Sequence, residues 1–128
     1  MSLSESESPI RVEVSTEYID DQSSPDEDKY VFAYTITIIN LSDKKATLKN
    51  RHWIITDGNG KQTEVQGDGV VGETPTIPPN SAYQYTSGTL LDTPLGFMEG
   101  FYGMVTEDNK DFRAPIPMFR LAAPGTLH

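Results

Sequence analysis

Gly67, Gly69 and Gly72, in the run GDGVVGETPTIPPN, have the G-x-G-x-x-G spacing that in dinucleotide-binding proteins brings backbone amides against a pyrophosphate. That chemistry needs a helix opening behind the last glycine, so that free N–H groups and a positive dipole end meet the anion. Pro75, Pro78 and Pro79 come next instead, and proline breaks a helix by removing a donor and restricting the residue before it. The charges of the loop are Asp68 and Glu73, both repelling phosphate, and the nearest base along the chain is Lys61. The glycines are therefore expected to supply positive φ and close approach, with Val70 and Val71 able to point inward. A small anion or pyrophosphate held in a backbone concavity is the rival reading.

Other reactive residue types are sparse. Acid–base and nucleophilic catalysis need a positioned group of suitable pKa, usually histidine. There are two, His52, expected on a surface opposite Trp53, and the terminal His128. Ser87 in YTSGT lacks the strand-to-helix elbow of a hydrolase nucleophile. Glu64, Asp68 and Glu73 lie close in sequence, but their spacing matches no coordination loop for a hard cation, and they read as solvated acids, as does PDED at 25–28. No catalytic residue, metal site or cofactor is expected.

The elements that carry these residues read as strands. IRVEVSTEYI (10–19) alternates at period two. After the polar stretch 20–29, KYVFAYTITIIN (29–40) is dense in β-branched and aromatic residues and is expected to be a central strand. ATLKNRHWIITD (46–57), with Leu48, Trp53 and Ile55 as core, leads into DGNG, a hairpin signal for a primed turn, and KQTEVQ (61–66) returns. SAYQYTSGT (81–89) alternates again. GFMEGFYGMVTED (96–108) carries three glycines that suggest bulges or close backbone approach, and Pro115 and Pro117 confine 111–121 to an edge or to a bulged strand. Seven strands or slightly more with no helix period predict an all-β fold, an antiparallel β-sandwich over 10–121, with a flexible acidic tail at 1–9 and a frayed end at 122–128.

The 128 residues fit one domain, and the absence of cysteine excludes disulfides and thiolate sites. No apolar run is long enough to span a membrane, and the opening MSLSESESPI has no secretory pattern, so the cytoplasm is the expected location. Of the net charge of −9, residues 1–28 carry −8. The near-neutral remainder offers no broad basic face, which disfavours nucleic acid as a primary ligand; Lys44, Lys45, Lys49 and Arg51 form only a local strip.

GDGVVGETPTIPP, preceded by RHWIITDGNG and followed by YQYTSGTLLDTPLGFMEGFYGM, resembles the ApaG family, and the likeness runs from VEVSTEYIDDQSSP through FAYTITIIN to APIPMFRL. The resemblance implies a fibronectin type III-like or immunoglobulin-like sandwich. It implies a stand-alone bacterial domain linked genetically to cobalt and magnesium handling and encoded near diadenosine tetraphosphate hydrolase and rRNA dimethyltransferase. Similar eukaryotic domains, in an F-box ubiquitin-ligase subunit and a DNA polymerase delta-interacting protein, look like interaction modules. The family's glycine motif, proposed as a pyrophosphate site, maps onto Gly67, Gly69 and Gly72; Asn80 stands where glycine is expected after the prolines. No catalytic residues are implied. The expectation is a non-catalytic interaction or regulatory module, monomeric or homodimeric, that meets a protein partner through an exposed surface of Phe97, Met98, Tyr102 and Met104. The alternative is a domain binding nucleotide pyrophosphate or a divalent cation through the loop.

Overall fold

The computed structural model describes residues 9–125. Eight strands form two antiparallel sheets: β1 (Ile10–Tyr18), β2 (Tyr30–Asn40) and β6 (Ala82–Leu91) in the order β1-β2-β6, and β4 (Gln62–Asp68), β3 (Ala46–Asp57), β7 (Leu95–Thr106) and β8 (Asp111–Ala122) in the order β4-β3-β7-β8, with the short β5 (Thr76–Ile77) also on β3. The stretch 20–29 holds two single 3-10 turns. The eight residues before Pro9, most of the expected tail, lie outside the described residues, as do 126–128. Within the expected frayed end, Ala122 closes β8 and Ala123 is buried, its N–H bonded to the Pro94 carbonyl.

The alternation read from the sequence explains the faces. Phe32, Tyr34, Ile36 and Ile38 of central β2 point inward against Leu48, Trp53, Met98, Tyr102, Met104 and Ile116 of the larger sheet. Trp53 is ringed by Tyr34, Phe119 and Tyr102 at centroid distances of 5.6, 5.8 and 6.3 Å, all edge-on, the arrangement aromatic quadrupoles favour. Two β-bulges are needed for this fit. One sets Lys49 of β3 out of register between Leu48 and Asn50; the other falls between Met98 and Gly100 where β7 meets β8. Gly100 permits the close approach, since a Cβ there would overlap the His52 carbonyl oxygen.

The DGNG hairpin forms, but not as a primed turn. Only Gly60 has positive φ (85°), and the Gly60 N–H bonds the Asp57 carbonyl, the pattern of a three-residue loop closed by a left-handed residue. Asn109 (φ 63°) closes the β7–β8 loop in the same way. Asn40, fully buried, joins the sheets at one end: its Nδ2 donates to the carbonyls of Lys44, Ile77 and Pro78, and its Oδ1 accepts from the Ser42 N–H and hydroxyl.

Across the core, the hydroxyls of Tyr85 (β6) and Tyr102 (β7) hydrogen-bond each other, tying one sheet to the other. Burial raises both hydroxyls well above the ordinary tyrosine range. Two outcomes are expected. Tyr85→Phe leaves the Tyr102 hydroxyl buried without its partner and should cost about 1–3 kcal/mol, while adding Tyr102→Phe should cost less than the two single changes summed, measured by a denaturant double-mutant cycle. Because the folded pKa values lie above the unfolded value, the contribution is complete below about pH 10 and is lost as pH rises beyond it, which alkaline unfolding followed by tyrosine absorbance will show.

Candidate functional site

The glycine run leaves β4 at Asp68 and turns back on itself. Gly69, Val71 and Gly72 have φ of 62°, 43° and 81°. The Gly69 N–H bonds the Lys49 carbonyl at 2.9 Å, while Val70 and Glu73 exchange both their N–H···O bonds at 2.8 and 2.9 Å. Val70 is fully buried and anchors the turn; Val71, by contrast, is 55% exposed at its tip. No Cβ fits at Gly69, where it would overlap the Glu73 carbonyl oxygen, whereas Gly72 faces open space and serves φ alone.

The cation associated with this loop is Arg51 rather than Lys61. It is the cross-strand partner of Gly67, and a side chain there would come within 2.8 Å of its guanidinium. Its Nη1 donates to the carbonyls of Asp68 and Gly69, each at 2.9 Å. The loop therefore turns carbonyl oxygens toward a positive group, the reverse of the N–H-lined concavity that binds phosphate.

On the outer face of the larger sheet, one cross-strand row holds Gln66, His52, Phe101 and Pro115, and the next holds Asp68, Asn50, Gly103 and Arg113. His52 stacks on Phe101 at 4.8 Å and 7°, and Arg113 lies over the same ring at 4.3 Å. The two come from strands on opposite sides of β7, so the ring is flanked from both directions. His52 Nε2 also lies 3.5 Å from Glu64 Oε2. Gly103 leaves a dip covered by the Asn50 amide, and the shallow cleft above is lined by Asn50, Arg51, His52, Phe101 and Arg113. Among the described residues Arg113 forms no ion pair.

Met98, Tyr102 and Met104, expected on an exposed patch, are 0–1% exposed and belong to the core; their shared parity along β7, with Ile55, Arg51 and Leu48 as their cross-strand partners, sends all three inward. Phe97 has the other parity and is half-buried on the outer face, two residues along that face from Phe101. Sequence reasoning missed Phe101 and Arg113, and it treated Arg51 and His52 as ordinary strand surface. Parity along β7 was the available signal for Phe101; Arg51 and Arg113 depend on the register of three strands. Of the acids considered for a cation, Glu64 turns to His52, and among the described residues no three His, Cys, Asp or Glu side chains gather.

The glycine geometry makes an ordered prediction. Gly69→Ala should destabilise well beyond Gly72→Ala, which carries only the left-handed backbone penalty of about 1 kcal/mol. Val71→Gly should relieve strain and leave stability unchanged or raised, all three read from urea midpoints.

The ApaG domain family matches residues 20–106. Protein ApaG of Shewanella sp. strain MR-7 is 71% identical over 119 residues, covering 93% of this chain and 94% of its own. Protein ApaG of Shewanella oneidensis is 67% identical over 126 residues, covering 98% of this chain and 100% of its own. A crystal structure from Bordetella pertussis, labelled an ApaA protein, superposes with a TM-score of 0.88 at 45% identity, over 91% of this chain and 95% of that one. A structural-genomics X-ray structure does so with a TM-score of 0.89 at 69% identity, over 94% and 91%. With a family match across most of the sandwich and relatives alike from end to end, the chain belongs to the ApaG family.

Proposed function

We propose that the chain works without catalysis, as an interaction or regulatory module of its family in the cytoplasm, and that its ligand is a protein. The observation that carries this reading is the polarity of the glycine loop. Its amides at Gly69, Val70 and Glu73 are spent on Lys49 and on each other, and two of its carbonyls hold Arg51. Binding pyrophosphate there would require breaking those bonds against the repulsion of Asp68 and Glu73. The one histidine among the described residues is held by Phe101 and Glu64. What the fold presents is the outer face of the larger sheet, where His52, Phe97, Phe101 and Arg113 form a mixed aromatic and cationic surface of the kind enriched in protein interfaces. An effect on cobalt and magnesium handling is then exerted through the partner.

Two measurements test this. Amide signals of 67–73 should stay in place when ATP and magnesium are added, and saturable movement confined to that loop would establish the ligand-binding alternative. A partner recovered from bacterial lysate by the unaltered protein should be lost with Arg113→Glu; recovery unaffected by that change places the contact elsewhere.

A further inference from the structure

A sheet edge with unpaired N–H and C=O groups invites another strand, and proteins guard such edges with charge, proline, bulges or cover. Three of the four edges here are guarded. β1 carries Arg11, Glu13 and Glu17 and packs beside β8. β8 has Pro115, Pro117, Asp111, Arg113 and Arg120 and contains a bulge. The seven-residue β4 carries Glu64 and Asp68. β6 has none of these devices. Its ten residues, AYQYTSGTLL, contain no charge and no proline, and its pairing with β2 runs without a break from Leu91 to Ala82.

The register shows which groups are open. The Asn40 N–H bonds the Ser81 carbonyl, so residues 83, 85, 87, 89 and 91 face β2. The N–H and C=O of Ala82, Gln84, Thr86, Gly88 and Leu90 then point to the free edge, and among the described residues no backbone hydrogen bond reaches them. Charge selects the occupant. Of the net charge of −9, residues 1–28 carry −8, so of the two edges of the smaller sheet β1 meets a second copy with acids while β6 meets it with none. The groove at its Leu90–Leu91 end is lined by Glu27, Asp28, Asp57 and Asp92 against Lys29 and Lys61, an excess of acid, while the Ala82 end is preceded by the uncharged Pro79, Asn80 and Ser81. Antiparallel pairing about a two-fold axis sets the acidic end of one strand beside the neutral end of the other, keeping the two acidic groups about 30 Å apart, several Debye lengths at physiological salt. Parallel pairing would bring them together.

We infer that β6 is an association edge for a second copy of this chain, joining two three-stranded sheets into one of six strands through antiparallel β6–β6 pairing. The contact is independent of the outer-face surface of the larger sheet.

Sedimentation equilibrium of the full chain, run up to about 1 mM because a one-strand contact sits at the weak end of stable interfaces, should give twice the 14.2 kDa chain mass. Amide exchange at Gln84, Thr86 and Gly88 should slow with rising concentration. Thr86→Pro removes an outward donor without cutting the β2 ladder, and Thr86→Lys adds a charge while keeping the donor; each should return a folded single-chain species, and the second holds the test if the first does not fold. A single-chain mass throughout, or a dimer that survives Thr86→Lys, overturns the inference. Either result leaves the Arg113 capture experiment free to stand or fall by itself.

Discussion

One extra residue in β3, Lys49, determines what each face of the larger sheet presents. Strand side chains alternate strictly, so a strand that buries Leu48 would without interruption also bury Asn50, His52 and Ile54. The bulge shifts parity, and Arg51, Trp53 and Ile55 take the inner positions opposite Tyr102, Gly100 and Met98. The distinctive features of the site are consequences of that shift. Trp53 reaches the centre of the core; Arg51, on the same side, extends over Gly67 to the glycine loop; His52 is thrown outward onto Phe101. The second bulge does the same for β8, letting Ile116 and Phe119 both face inward and bringing Phe119 against Trp53. Gly100 lies where β3 and β7 come too close for any side chain.

The strands and hairpins were legible in the sequence because they rest on local signals: period-two alternation, β-branched density and turn residues. Even the β3 bulge left a trace, since Leu48, Trp53 and Ile55 cannot share a face of an unbroken strand. The edge position of β8 was readable from Pro115 and Pro117. Information carried by register escaped. Arg51 stands 16 positions before Gly67, and nothing local announces that the two are cross-strand partners. Counting charges along the chain therefore found Lys61 and missed the cation that touches the loop. The turn at DGNG was identified by residue type, but its class depends on which residue takes positive φ, and Gly58 and Asn59 do not.

The glycine loop shows why a spacing is not a site. The same three glycines that elsewhere open amides to a phosphate here let the backbone fold tightly enough for those amides to find carbonyls, and two further carbonyls are left to a guanidinium. Peptide groups are dipoles, and the residues after the glycines decide which end faces outward. A helix presents N–H groups; the run ETPTIPPN cannot form one and instead sends β5 alongside β3. The Cβ exclusion at Gly69 and the open space at Gly72 separate the two demands that the motif combines, close approach and left-handed backbone.

Charge placement gives the last link between sequence and surface. Within the acidic run, Glu13 and Glu17 lie on β1 and guard one edge of the smaller sheet, while β6 at the other edge carries no charged residue. A sandwich need not treat its two edges differently to be stable, since burial of the inner faces is indifferent to charges outside. The asymmetry therefore acts on encounters between molecules: along β6 the outward backbone groups remain unpaired among the described residues with no charged side chain on the strand to repel an approaching one.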